Sequence, residues 1–262
     1  MSEVAPPVLL HTRDARGVHT LTLNAPRRFN VLSEAMLAAL QAALDEIAGD
    51  AQARVVVIAA EGRAFCAGHD LKEMRANPEL AYYQALFARC SKLMLAIRAL
   101  ELPVVARVQG LATAAGCQLV AQCDLAVAAE DASFGVNGID VGLFCATPGV
   151  ALSRNMLPKQ AMEMLLTGDF ISAPEAQSRG LVNRVVPAEA LDAELAALVD
   201  RLLLKPRDAI ALGKTLFYRQ LECGLAAAYQ LAGQTMACNM ADDVAQEGVQ
   251  AFIDKRPPTW QR

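Results

Sequence analysis

Two stretches of small residues hold the chemical promise of this sequence: Ala64-Phe65-Cys66-Ala67-Gly68-His69-Asp70 and Gly110-Leu111-Ala112-Thr113-Ala114-Ala115-Gly116-Cys117-Gln118. Each follows an apolar, β-branched run of the kind that forms a buried strand, RVVVIAAEG at 54–62 and PVVARVQG at 103–110. Small side chains let a ligand approach the backbone, and free N–H groups at a helix start near Ala115 carry the positive end of the helix dipole. Two such donors from separate loops can converge on one carbonyl oxygen and stabilise negative charge developing there, roughly 3 to 4 kcal/mol per donor in measured oxyanion holes. The same residues also suit plain strand-to-helix packing, and composition alone leaves both readings open.

Other chemistries have little material. The chain has three histidines, His11, His19 and His69, two of them in its first hairpin, so neither a multi-histidine metal site nor a serine triad is expected. No G-x-S-x-G or G-x-G-x-x-G occurs. Gly213-Lys214-Thr215 imitates the end of a phosphate-binding loop, but Asp208 stands where its first glycine belongs and a helical stretch precedes it. Seven cysteines (66, 90, 117, 123, 145, 223, 238) include no C-x-x-C pair and sit mostly in apolar stretches, which predicts buried thiols in a reducing compartment. A net charge of −4 and the lack of an aromatic-basic stripe predict no nucleic-acid partner. The first residues lack a basic start and a continuous apolar run, and no uncharged apolar run reaches the roughly 18 to 20 residues of a membrane span. The chain is therefore expected to be cytoplasmic, with no membrane partner.

The elements that must position the two loops read as alternating strands and helices. In 262 residues, 54% hydrophobic and 20% charged, there is ample apolar surface for one large domain with an appendage. VLLHTRD and VHTLTLN form a hairpin; Ser33 caps a helix carrying Met36, Leu37, Leu40, Leu44 and Ile47 that Gly49 stops. Strands at 54–62, 103–110, 124–130 and 181–187 alternate with helices near 79–99, 115–122 and 159–167 and a short one opening at Pro174. This predicts an α/β core with parallel pairing over 1–187. From 188 to 262 the pattern is helical, broken at Lys205-Pro206 and near Asp242, with more apolar positions than a monomer surface exposes.

The motifs LNAPRRFNVLS, AFCAGHDLKEM, the 109–124 stretch ending Cys123-Asp124, ISAPEAQSRGLVNRVVP and FIDKRPPTW occur in order over nearly the whole chain. Together they resemble the crotonase (enoyl-CoA hydratase/isomerase) superfamily. The resemblance implies a spiral core of repeated ββα units and a C-terminal helical oligomerisation region that builds a homotrimer or a dimer of trimers. It also implies acyl-CoA thioester substrates, with coenzyme A as part of the substrate and no separate cofactor or metal. By the same carry-over the oxyanion donors are the backbone N–H groups of His69 and Ala115. Ala67, Gly68, Asp70, Leu71 and Ala114 complete the acyl-binding loops. Arg28 and Lys72 lie near the CoA phosphates, and Lys255 reaches in from a neighbouring subunit.

Hydration of a double bond needs one group to activate water and another to protonate the α-carbon, work that suits two carboxylates. Aligning G-C-Q-L with the hydratase G-C-E-L puts the first glutamate position at Gln118, and the Phe134-Gly135 segment puts the second at Gly138. The aspartate that other members carry eight residues later falls at Ala146. All three positions lack a carboxylate. Candidate substitutes are Asp140, two residues past the empty position, which equally reads as solvating its loop, and the His69 ring, whose A-G-H-D setting resembles decarboxylating members. Gln118 and Asn137 suit positioning of a water or a substrate carboxylate, while Cys145 reads as packing unless its pKa is lowered. The expected function is a thioester-processing lyase of fatty-acyl type that works through an enolate with weak hydratase activity. The alternatives are decarboxylation of a malonyl-type thioester and acyl-CoA binding without chemistry. Restoring Glu at 118 and 138 together is expected to gain more than the two single changes multiplied, provided Gly138 does not need a positive φ.

Overall fold

The computed structural model describes residues 6–261. β1 (Leu9–Arg13) and β2 (Val18–Leu23) pair antiparallel, and a short 3-10 turn at Pro26–Arg28 leads to α1 (Glu34–Ala48). Ser33 caps α1 by accepting from the Met36 N–H at 3.2 Å, and the predicted apolar stripe is its buried face.

Three passes then repeat one plan. β3 (Val55–Ala60) joins a large sheet and β4 (Ala64–Cys66) a small one before α2 (Leu71–Ala76) and α3 (Leu80–Ala99). β5 (Val104–Val108) and β6 (Leu111–Thr113) do the same before α4 (Ala115–Gln122). β7 (Leu125–Ala129) and β8 (Ser133–Gly135) precede α5 (Ala146–Leu152) and α6 (Pro158–Thr167). β9 (Ile171–Ser172), α7 (Ala173–Ser178) and β10 (Arg184–Val186) close the core. The large sheet runs β1-β2-β3-β5-β7-β10, parallel from β2 onward, and the small one runs β4-β6-β8-β9 with its first three strands parallel. This is the α/β spiral of ββα units that the resemblance implied.

The small sheet is the main departure from the sequence reading, because 64–66 and 111–113, read as loop, are strands. Strands of two or three residues are too short to show a period. β3 fits the expectation of a strand buried on both faces. Val56, Ile58 and Ala60 point into the main core, while Val55, Val57 and Ala59 meet Leu191, Leu198 and Val199 of α8 (Leu191–Leu203) on the other side. Thus α8 packs on the sheet of the 1–187 core although it lies beyond 187 in sequence.

The helices α9 (Arg207–Gln220), α10 (Leu225–Met240) and α11 (Asp243–Ile253) complete the chain, broken where Pro206 and Asp242 stand and again at 221–224. α10 and α11 bury only Ala228 and Ala251, leaving Tyr229 73% and Phe252 85% exposed. Five cysteines are buried as expected. Cys223 and Cys238 are exposed, a correction that follows from their place among helices the core does not cover. Among the described residues no helix is long and apolar enough to cross a membrane, and no cluster of His, Cys, Asp or Glu is arranged to hold a metal ion.

α9 docks on the core through a buried charge. Lys214 Nζ donates to Asp124 Oδ2 at 2.7 Å and to the carbonyls of Ile97 and Leu102 at 3.0 and 2.9 Å. Asp124 also accepts from the Val104 N–H and from the Tyr218 hydroxyl, each at 2.7 Å. The lysine of the phosphate-loop imitation is therefore a structural tie. Burial lowers its pKa, against the raising influence of Asp124. Removing one partner of a buried pair leaves the other uncompensated, a loss of about 3 to 5 kcal/mol. Lys214→Met should therefore lower the denaturation midpoint by several degrees, and a midpoint equal to wild type would contradict this role for the tie.

Candidate active site

The two small-residue loops meet in space, and glycines set how closely. A Cβ at Gly116 would stand 2.1 Å from the Cys66 carbonyl oxygen, and one at Gly68 would stand 2.8 Å from Ala114 Cβ and 3.2 Å from the Ala115 nitrogen. Gly68 is also held at φ +84°, a conformation that side chains resist. The first loop is fixed from outside by the 28–32 segment: the Leu32 N–H donates to the Gly68 carbonyl at 2.7 Å and the Ala67 N–H to the Phe29 carbonyl at 3.0 Å. Beneath them Asn30 is fully buried. It accepts from the Ala25 N–H and donates to the carbonyls of Glu61 and Ala64, all at 2.8 Å. Sequence reasoning passed over Asn30, although a polar residue with turn propensity inside LNAPRRFN was the available signal.

The second loop is held under strain. Ala114 lies at φ 50°, ψ −122°, outside the regions an alanine prefers, and its N–H donates to the Gly135 carbonyl at 2.9 Å. This turn delivers Ala115 as the first residue of α4, whose N–H has no intrahelical acceptor.

Around the junction lies a cavity of about 350 Å³. Ala67, His69 and Leu71 form one wall and Thr113, Ala114 and Ala115 a second. The third comes from the segment Asn137 to Pro148, including Gly138, Cys145 and Ala146. No Asp, Glu, Lys or Arg is among the lining residues. The His69 ring packs edge-on to Phe87 with centroids 5.5 Å apart, and its one polar neighbour is the Leu32 backbone, which favours the charged ring. Burial lowers its pKa, so the ring is neutral at neutral pH. His11 and His19 bond to each other at 2.9 Å and do not line this cavity.

The remaining predicted residues divide sharply. Gln118 is buried in α4 and is not among the residues that line the cavity, and its Oε1 is unpartnered. Asp140, offered as a substitute carboxylate, lies exposed in the 3-10 turn Asn137–Val141 and is not among the residues that line the cavity; its Oδ1 lies 2.8 Å from where a Cβ of Gly168 would be. Gly138 does not have a positive φ, so the conformational obstacle foreseen for a side chain is not the operative one. The obstacle is space, because a Cβ there would stand 2.4 Å from the Leu143 carbonyl and 2.8 Å from Cys145 Sγ. Cys145 is buried and its pKa is raised by that burial, against a nucleophilic role. Asp70 caps α2, accepting from Lys72 and Glu73 N–H groups at 2.9 and 3.3 Å, and its carboxylate is ion-paired with Arg28. Lys72 is exposed in the first turn of α2. Lys255 is exposed after α11 and does not line the cavity of its own chain.

Two short parallel strands of one sheet bringing their loops together at one apolar cavity define a class. Residues 13–262 match the model of the enoyl-CoA hydratase/isomerase family, and the chain belongs to that family. It is 47% identical over 254 residues to mouse enoyl-CoA hydratase domain-containing protein 3, mitochondrial, covering 97% of this chain and 85% of the relative. A crystal structure of enoyl-CoA hydratase from Mycobacterium smegmatis is 62% identical with a TM-score of 0.97, covering 98% of this chain and 100% of the other. The human enoyl-CoA hydratase domain-containing protein 3 structure is 45% identical with a TM-score of 0.93, covering 97% and 100%. The mouse, rat and human relatives are named mitochondrial, which overturns the expectation of a cytoplasmic chain. That expectation rested on reduced thiols and on the look of the first residues, and neither distinguishes the two compartments.

The buried neutral His69 gives a pH test. Its folded pKa lies below the ordinary value of 6.5, so as pH falls the unfolded chain takes up the proton first. The stability tied to this residue is full above about pH 6.5 and is lost as pH falls through that value toward the lower folded one. Burial lowers His11 as well, so the comparison must be with a variant. Between pH 7.5 and 5, wild type should lose more stability than His69→Gln, measured by urea denaturation; equal losses would remove the buried-neutral assignment. Space at the second glutamate position yields another: Gly138→Glu should unfold at a lower temperature than Gln118→Glu and restore no hydration. Recovery of fast hydration in Gly138→Glu would overturn this account of the third wall.

Proposed function

We propose that the cavity binds the acyl part of an acyl-CoA thioester, with the thioester oxygen between the backbone N–H groups of His69 and Ala115. The observation that carries this reading is the abutment of Gly68 on Ala114 and Ala115, which brings both loops to one edge of the cavity. Donors fixed in advance, at the rim of an apolar space, favour the enolate over the neutral thioester because they need no rearrangement as charge develops. With no carboxylate on the lining, neither proton transfer of hydration has an assigned group. The reading is therefore a thioester-processing enzyme of enolate type with slow hydration. Decarboxylation of a malonyl-type thioester stands second, since it needs the donors and no base, but the lining offers its carboxylate no cation.

The apolar faces left by α10 and α11 support assembly into a trimer or a dimer of trimers, which would let Lys255 serve a neighbouring site. Arg28 and Lys72 flank the same loop and are proposed to meet the CoA phosphates, Arg28 by exchanging its Asp70 partner.

A short enoyl-CoA should bind, and a ¹³C-labelled thioester carbonyl should shift to lower stretching frequency on binding. Hydration should run slower than in a two-carboxylate hydratase assayed beside it, by a factor on the order of 10² to 10⁴ per missing group. An unshifted carbonyl would refute the oxyanion assignment, and hydration at the reference rate would refute the claim about the missing groups.

A further inference from the structure

The third wall of the cavity holds an amide with an unspent donor. Thr113 Oγ1 donates to Asn137 Oδ1 at 2.7 Å, and both residues line the cavity. With its oxygen engaged, Asn137 keeps Nδ2, and that nitrogen donates to no acceptor among the described residues. Thr113 is itself buried, so the amide is held from a fixed point. That point is close to the proposed oxyanion donors, because Thr113 and Ala115 are two residues apart and their Cα atoms are at most about 7.6 Å apart. His69 adds a neutral ring to the same cavity. The polar side chains that line the cavity are thus neutral and few, and the Asn137 amide is fixed among them by Thr113.

We propose that Asn137, oriented by Thr113, is a specificity-determining residue that donates to an oxygen on the acyl chain. The preferred ligands are then acyl-CoA thioesters bearing a neutral oxygen, as a keto or hydroxyl group, near the thioester carbonyl. The inference rests on the acyl-CoA reading of this cavity and refines its substrate class. A plain hydrocarbon chain leaves the amide donor unpaired in an apolar space, and sites built to hydrogen-bond a substrate discriminate strongly against analogues that lack the group. A carboxylate fits less well than a neutral oxygen, because no cation lines the cavity to compensate its burial.

The test is calorimetric titration of the full chain with butyryl-CoA, 3-hydroxybutyryl-CoA, 3-oxobutyryl-CoA and malonyl-CoA. Wild type should bind the 3-oxo and 3-hydroxy esters about tenfold more tightly than butyryl-CoA, the ratio one net hydrogen bond supplies. The decisive variant is Asn137→Asp, which preserves side-chain size and still accepts from Thr113 but has no donor. A keto oxygen can only accept, so the variant should lose the preference for the 3-oxo ester; a purely structural role for Asn137 would leave it intact. Thr113→Val, which frees the amide without removing it, should retain part of the preference and serves as the second variant if the first fails to fold. Equal binding of butyryl-CoA and 3-oxobutyryl-CoA by wild type, or an undiminished preference in both variants, would overturn the inference alone. Tightest binding of malonyl-CoA would overturn the choice of a neutral oxygen, and binding of none of the four would overturn the acyl-CoA reading together with this refinement.

Discussion

The structure depends on the approach of two backbones, Cys66–Gly68 and Ala114–Gly116, to a distance that no side chain beyond hydrogen can occupy. The Cys66 carbonyl stands where a Cβ of residue 116 would be, and the Ala115 nitrogen lies beside the face of Gly68. Each backbone is brought there by a strand of the small sheet, and the strands pair in parallel so that both chains leave in the same direction. Asn30 satisfies three backbone groups of the surrounding loops at once, which fixes the first approach from behind. The strained Ala114 persists because the Gly135 carbonyl on one side and Gly68 on the other leave the turn no other course.

On the proposed reading, charge stabilisation and proton transfer fall to different parts of the chain. Backbone donors belong to the fold and survive substitution of any side chain around them. Acid and base groups are side chains, and the positions to which the resemblance assigns carboxylates hold a buried amide, a glycine with no room for a Cβ, and an alanine. Leu143 and Cys145 occupy the space a side chain at 138 would need, and the Gly138 N–H donates to Cys145 Sγ at 3.3 Å. The cavity is left largely apolar, with Thr113, Asn137, Thr147 and His69 as neutral polar groups in it.

The far side of the molecule is built on a different principle. The outer face of the large sheet is closed by the apolar side chains of α8, whereas α9 is tied down by Lys214 and Asp124 with a tyrosine hydroxyl and backbone groups completing the bonds. A buried ion pair adds little net stability over an apolar contact but fails badly when half of it is lost, so it specifies one seating of α9. α10 and α11 then project apolar faces that this chain does not cover by itself.

Much of this was legible in the residues. Alternation in β2, the continuous β-branched run of β3 and the Ser33 cap with its helical stripe are local signals, because periodicity and capping act within a few residues of chain. The small-residue loops and the membership of the family were equally open, since each rests on residue identity in order along the chain. What only the tertiary structure decided concerns groups that are distant in sequence. The strands of the small sheet are too short to have a period and exist because they pair with one another. Asp140 stands two residues past Gly138 in sequence, yet only the fold shows that it is exposed, outside the cavity lining and beside Gly168. Lys214 looked like part of a phosphate motif and is a buried tie to a residue 90 positions earlier in the chain. The obstacle at Gly138 is likewise a carbonyl five residues away folding back on it. Sequence determines which contacts a residue is chemically able to make, and packing among distant segments determines which of them it does make.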